Sequence, residues 1–263
     1  MSTLLDYQLV QNNYGRQVKL FTAQAANQRD IDYFRKAIGK VTTVDGLMKD
    51  YRLYSFVMKA FGLGDQMPYR ALVKQVVEGG TTDRNSVANR MTSKAYADLA
   101  KALHLSKDDA VAPGLTDPKE IQAVVDRFVT GGIEAQQGEK NVGVRLAMYA
   151  RRVGPTITSW YQVLGDKALA EVIRTALRIP ASTAATNIDK QKAMLEKRMP
   201  IADLKDPKKL DAMLQRFAIF YDMDQGTATS QVPGLLAGGG GASSQIVSFD
   251  PATLAAAMRS RAR

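Results

Sequence analysis

The sequence predicts an all-α fold, a helical bundle built from two related helical units, with a disordered Gly-rich tail and a short C-terminal helix after it. Three observations carry this. Apolar residues recur at spacings of three and four along nearly the whole chain, the period of one helix face. No stretch alternates apolar and polar between turn signals, as a half-buried strand would. Finally, residues 33–64, YFRKAIGKVTTVDGLMKDYRLYSFVMKAFGLG, align without a gap on residues 149–180, YARRVGPTITSWYQVLGDKALAEVIRTALRIP, at a constant offset (149 − 33 = 116). Tyr33, Arg35, Thr42, Asp50, Leu53 and Ala60 recur as Tyr149, Arg151, Thr158, Asp166, Leu169 and Ala176, and apolar mostly answers apolar between them.

Residues 1–30 are expected to hold an N-terminal helix, over about 3–27. Residues 31–130 form the first unit. Within it Leu53, Phe56, Val57, Ala60 and Phe61 line one helix face. Asp50 is placed to cap that helix by accepting backbone N–H bonds, and Gly62 suits the left-handed position that closes it, with Leu63 as the apolar contact beyond. Further helices are expected near 68–78 and 85–104, the latter capped by Asp83 or Asn85, with loops at Gly79–Gly80, Asp109 to Gly114 and Gly131–Gly132. Residues 131–225 form the second unit, continuous with the first as one globular body, with helices near 139–153 and 187–198. Its Asp166 repeats the cap, whereas Arg178 and Pro180 stand where a glycine closed the first copy, so proline is expected to stop this helix by a different mechanism. A second echo pairs LTDPKEIQAVVDRF at 115–128 with LKDPKKLDAMLQRF at 204–217. In each an aspartate precedes a proline at the first helical position, where the missing N–H costs nothing. Glu120 is placed to complete a capping box in the first copy only. This pair has offset 89 rather than 116, out of register with the longer repeat. Residues 226–248 read as a flexible linker, with four glycines at 238–241, and residues 249–263 as a tail helix with Leu254, Ala255 and Met258 on one stripe. So short a helix is unstable alone in water, which fits a docking peptide that folds on a partner.

Composition narrows the chemistry. The chain has 263 residues, no cysteine and a single histidine, His104. Disulfides and thiolate metal sites are excluded, and any triad or His-rich metal site would have to centre on His104. His104 stands near a helix end, where a structural or surface role is expected. No apolar run nears the roughly 20 residues of a membrane span, and the first residues lack the basic and apolar regions of a secretory signal. A cytoplasmic location is the default expectation, with signal-less export left open. The net charge is +10, which attracts acidic partners and weakens with salt.

No GxxxxGK[ST] loop, GxGxxG fingerprint after a strand, or GxSxG elbow occurs. Asp108–Asp109 are loop neighbours rather than an acid–base pair, and Asp83, Asn85 and Asn89 do not complete a calcium loop. Catalytic, cofactor-binding and metal residues are therefore expected to be none. Trp160, Tyr161, Phe217, Phe220 and Tyr221 are at helical spacings and are expected to pack in the core rather than stack bases. Arg145, Arg151 and Arg152 form the strongest local basic group, with Arg145 and Arg152 two turns apart on one face, and Arg35 and Lys36 occupy the positions matching Arg151 and Arg152. These five, with Phe249, Leu254 and Met258 of the tail, are the candidate partner-binding residues.

FVMKAFGLGD (56–65), SVANRM (86–91), QQGEKNVGVRLAMY (136–149), PTITSWYQVLGDKALAEVIRTALRIP (155–180), IDKQKAMLEKR (188–198) and DLKDPKKLDAMLQRF (203–217), in that order, resemble a bacterial helical family catalogued as a domain of unknown function. The likeness covers roughly residues 1–225 and departs at Arg178, where the pattern leads one to expect glycine. Members are often encoded among flagellar genes, and the family carries no catalytic residues to transfer. The resemblance implies a non-enzymatic interaction or assembly protein associated with the flagellum, with rod, hook, export or motor components as candidate partners. The alternative is a nucleic-acid-binding helical protein using its basic surface, which is the weaker expectation because the charge is spread rather than clustered. An unrecognised hydrolase would need a deep pocket with convergent carboxylates.

Overall fold

The computed structural model describes residues 2–107 and 114–226. The tail helix with Phe249, Leu254 and Met258, the linker beyond Gly226, and most of the expected loop from Asp109 to Gly114 lie outside the described residues. Among those described, fourteen α-helices and short 3-10 turns occur and no strand, as the periodicity predicts. The helices are α1 (Thr3–Asn12), α2 (Tyr14–Ala23), α3 (Ala25–Ala37), α4 (Val44–Lys49), α5 (Tyr51–Ala60), α6 (Arg70–Gly79), α7 (Val87–Arg90), α8 (Lys94–Leu103), α9 (Pro118–Lys140), α10 (Val142–Val153), α11 (Trp160–Gly165), α12 (Lys167–Ala176), α13 (Ile188–Arg198) and α14 (Pro207–Asp224).

The two matching segments fold with the same local bonds. Each starts in a long helix, α3 or α10, that closes in a 3-10 turn. A hydroxyl residue then caps a six-residue helix: Thr43 accepts from the Gly46 amide at 3.0 Å, and Ser159 from the Tyr161 amide at 3.2 Å. Asp50 and Asp166 cap α5 and α12 by accepting from the Leu53 and Leu169 amides, both at 3.0 Å. The second oxygen of each carboxylate accepts the hydroxyl of Tyr33 or Tyr149, so the identical tyrosine and aspartate tie the end of one helix to the start of another. Closure is shared too. Gly62 has φ +71°, with Leu63 N–H on Met58 C=O at 2.7 Å; Arg178 has φ +52°, with Ile179 N–H on Arg174 C=O at 2.9 Å. Arg178 thus adopts the left-handed conformation in which glycine is usual, and the expected change of stop mechanism at Pro180 is not what happens.

The second echo begins α9 and α14. Asp117 accepts from the Lys119 amide at 2.8 Å, and Asp206 from the Lys208 and Lys209 amides at 2.9 and 3.2 Å. α9 packs on α5 and α14 on α12. The offset falls from 116 to 89 because 27 more residues (116 − 89) separate the paired elements in the first half, where α6, α7 and α8 intervene, than in the second, where α13 alone does. Out of register along the chain, the second echo holds the corresponding place in the packing.

Several expected boundaries move. The helix expected over 3–27 is three helices, broken at Asn13 and Gln24. The one expected over 85–104 is α7 and α8, and α7 is capped by Ser86 rather than by Asp83 or Asn85. Gly131–Gly132 is not a loop and does not divide two units at residue 130, since both glycines lie within the continuous α9. A Cβ at 132 would overlap the Phe21 ring, so the missing side chain lets α2 press that ring onto α9. Phe21 meets Phe128 edge-on with centroids 6.0 Å apart, and Phe34, Phe56 and Phe128 stack at 4.3 and 4.2 Å, close to the preferred offset geometry. Buried residues from Tyr7 to Phe217 join in a single apolar cluster spanning both segments.

Candidate interaction surface

All five predicted basic residues are exposed, and four of them also meet a neighbouring helix. Arg152 turns back onto α9, where Nε and Nη2 donate to the two carboxylate oxygens of Glu134 at 2.7 and 2.8 Å. Glu134 is only 5 % exposed, and the guanidinium also lies over the Tyr149 ring, 5.3 Å from its centroid. Burial by itself would lower the Arg152 pKa, but the Glu134 carboxylate beside it holds it above its usual value. Arg145 lies over Gly138, one turn further along α9, so Arg145 and Arg152 do share a face and that face is turned to a neighbouring helix. Arg151 leaves on another side. Its Nη1 donates to Asp211 of α14 at 2.6 Å and to the Tyr7 hydroxyl of α1 at 3.0 Å. Arg35, the residue matching Arg151, donates from Nη2 to Gln122 of α9 at 2.7 Å. Gln122 and Asp211 are themselves matched by the offset of 89, so one arginine joins the equivalent pair of helices in each half. Lys36 is exposed. The internal partners Glu134 and Asp211 were not legible beforehand, because each is separated from its arginine by many residues.

A second polar cluster went unforeseen. Thr3, buried at the start of α1, donates its amide to Asp222 at 2.8 Å and its hydroxyl to the same carboxylate at 2.5 Å. Asn141 caps α10 through the Val144 amide and donates from Nδ2 to Asp6 at 3.1 Å. Together these bonds fasten α1 to α10 and α14.

His104 closes α8 with φ +49° and sets Nε2 3.3 Å from a carboxylate oxygen of Glu120. Glu120 therefore meets the imidazole instead of completing the expected capping box. Of the aromatic group, Trp160 and Phe217 are buried as expected. Tyr161 is exposed, donating to Asp189 at 2.7 Å under the Lys192 ammonium. Among the described residues no three His, Asp or Glu side chains gather to hold a metal ion, and no helix is long and apolar enough to cross a membrane.

The surface offers grooves instead. One, of ≈ 660 Å³, lies between α3 and α9 with α2 along its side; Arg35 and Gln122 close one end, Ile31, Val125 and Val129 form its floor, and Asp32 and Asp126 stand on its rim. Another, of ≈ 550 Å³, runs along the ends of α12 and α14 and includes Arg174, Arg178, Tyr221 and Asp224, with Arg178 donating to Asp224 at 2.8 Å. Apolar side chains are exposed elsewhere on the surface. On α1 Leu5 and Leu9 are 66 % and 63 % exposed, and on α14, against which α1 packs, Met223 is 54 % exposed.

Residues 60–210 match the family described as "Protein of unknown function (DUF1217)". A crystal structure of a protein from Agrobacterium tumefaciens is similar, with 34 % sequence identity and a TM-score of 0.77 over 85 % of this chain and 96 % of that one. No curated protein matches the chain.

Proposed function

The chain belongs to the DUF1217 family, and from that premise we propose that it is a non-enzymatic interaction or assembly protein associated with the bacterial flagellum, built as two related helical units. The observation that carries the reading is the division of labour among side chains. Arg151, Arg152, Asp211 and Glu134 fasten helices to one another, while Leu5, Leu9 and Met223 are exposed to solvent. Polar groups that only hold the fold, combined with exposed apolar side chains on paired helices, suit a surface made to be covered by another protein. The resemblance to a family often encoded among flagellar genes supplies the flagellar context. The test is capture from the native host with the full chain as bait, together with deletion of its gene. Recovery of a rod, hook, export or motor component and impaired swimming are the expected results. Normal swimming and capture of none of these would remove the flagellar assignment.

A further inference from the structure

α6 and α13 hold matching places, each packed on the six-residue helix of its half, α4 or α11. In the first half α7 and α8 pack on α6 in turn. Among the described residues the second half has no such pair, since α13 runs on through a 3-10 turn to α14. α8 reaches α9 with two side chains: Asp98 stands 3.7 Å from Nη1 of Arg127, and His104 meets Glu120. The positions of α14 that answer to Arg127 and Glu120 are Arg216 (127 + 89) and Lys209 (120 + 89). The arginine is kept, its carboxylate partner is gone with α8, and the acidic residue of the other pair has become basic.

An open groove of ≈ 650 Å³ lies there, between the end of α13 and α14. Arg198, Lys209 and Arg216 line it against one carboxylate, Asp203, which Lys209 holds at 2.7 Å. The acidic side chains nearest along the chain are engaged as well: Glu196 by Lys192, Asp206 in capping α14, and Asp211 by Arg151. Arg216 is exposed and makes no hydrogen bond or ion pair among the described residues. Of the groove's large apolar side chains Met199 is already buried and Ile219 is 44 % exposed, so little apolar surface waits to be covered. No lining residue is aromatic, and nucleic-acid bases find no ring to stack on. What the groove offers is positive charge without a counter-charge.

We propose that the groove between α13 and α14 binds an acidic segment of a partner protein, with one of its carboxylates on Arg216 as Asp98 stands on Arg127. The chemistry of the occupant follows from the first half, where a carboxylate faces this arginine position, and from the charge left uncompensated in the second. This rests on the reading of the protein as an interaction module and names the partner chemistry it takes. Exposed charges give modest, salt-sensitive affinity, and complementary charge across an interface acts on the rate of encounter and the choice of partner.

The probe is a fluorescein-labelled deca-glutamate peptide, titrated with the full chain and followed by anisotropy at about 0.1 M salt, where distant charges are screened. Saturable binding that weakens as salt is added is expected. Arg216→Glu, which reverses the free cation, weakens it by roughly tenfold. Ala212→Glu places a carboxylate on the same groove from an exposed position, leaves every cation in place, and gives a similar loss. Lys36→Glu makes the same change of charge as Arg216→Glu, but on α3 and outside the groove, and should alter affinity by less than about twofold. Absence of saturable binding overturns the proposal. So do equal losses from Lys36→Glu and Arg216→Glu, which would mean that the peptide follows the net charge of +10 rather than a site. A labelled deca-thymidylate that binds more tightly than the peptide and is lost with the same groove variants would assign the groove to phosphates and likewise overturn it. The titration uses no flagellar component and the capture uses no acidic probe, so either reading can fail while the other stands.

Discussion

Glu134 is a nearly buried carboxylate held by two short bonds from one guanidinium. Removing one partner of such a pair leaves a charge away from water, which costs far more than the net gain of forming the pair. Arg152→Ala is expected to lower unfolding free energy by about 2 kcal/mol or more, read from urea midpoints. Arg152→Lys, which keeps the charge and loses the fork, falls between. The double change Arg152→Met with Glu134→Leu recovers most of the loss, and no recovery would mean that the arginine acts by packing alone. Tyr149 provides a pH handle nearby. Burial and the Asp166 carboxylate that accepts its hydroxyl both disfavour the phenolate, so its pKa in the fold lies above the ordinary value. The unfolded chain loses this proton near pH 10, whereas the folded one keeps it. The contribution is therefore complete below about pH 10 and is lost as pH rises toward the folded value. Between about pH 9 and 11 the urea midpoint should fall less steeply in Tyr149→Phe than in the parent, and equal slopes would refute the linkage. A sequence reader finds Tyr149 and Asp166 together because they repeat with Tyr33 and Asp50. Arg152 and Glu134 repeat with nothing (Lys36 and Val18 stand at the matching positions), so their pairing had no signal along the chain.

At the scale of the element, the ends of α5 and α12 isolate one backbone choice in two chemical settings. Gly62 and Arg178 both take positive φ, which glycine adopts freely and a residue with a Cβ adopts at a cost of about 1 kcal/mol. A Cβ at 62 would meet nothing within 4 Å, so Gly62→Ala measures conformation without a clash and should destabilise by about 1 kcal/mol. Arg178→Gly relieves the same strain but removes the bond to Asp224 and the contact with the Phe220 ring. Exposed ion pairs contribute only about 0–1 kcal/mol, so the variant should be neutral or slightly stabilised. Thermal midpoints of the two variants moving in the same direction by similar amounts would contradict this. The starts of helices were readable because an aspartate before the first turn has one dominant use, and Asp50, Asp117, Asp166 and Asp206 all cap as expected. The breaks within the N-terminal stretch were not, because neither Asn13 nor Gln24 caps the helix that follows it with its side chain.

At the scale of the molecule, the question is whether two matching segments fold as two bodies or one. α9 decides it physically. Its N-terminal part packs on α5 of the first segment, its C-terminal part carries Glu134 for Arg152 of the second, and no break separates them. Tyr7, from the very start of the chain, bonds Arg151, while Thr3 bonds Asp222 near the end of α14. Either segment unfolding alone would strand these groups and expose one side of a shared core, which small domains avoid by unfolding in one step. Trp160, the sole tryptophan, is buried in α11 of the second segment, so its fluorescence reports that segment, while far-UV circular dichroism reports every helix. Urea transitions followed by the two probes are expected to coincide, with one midpoint and one slope. Gly132→Ala sharpens the test. It drives a methyl group into the Phe21 ring at a cost of about 1–3 kcal/mol, and lies far along the chain from Trp160. In a single cooperative body it must shift the fluorescence midpoint as much as the dichroism midpoint. A fluorescence transition that ignores Gly132→Ala would divide the molecule at α9 into two independent units.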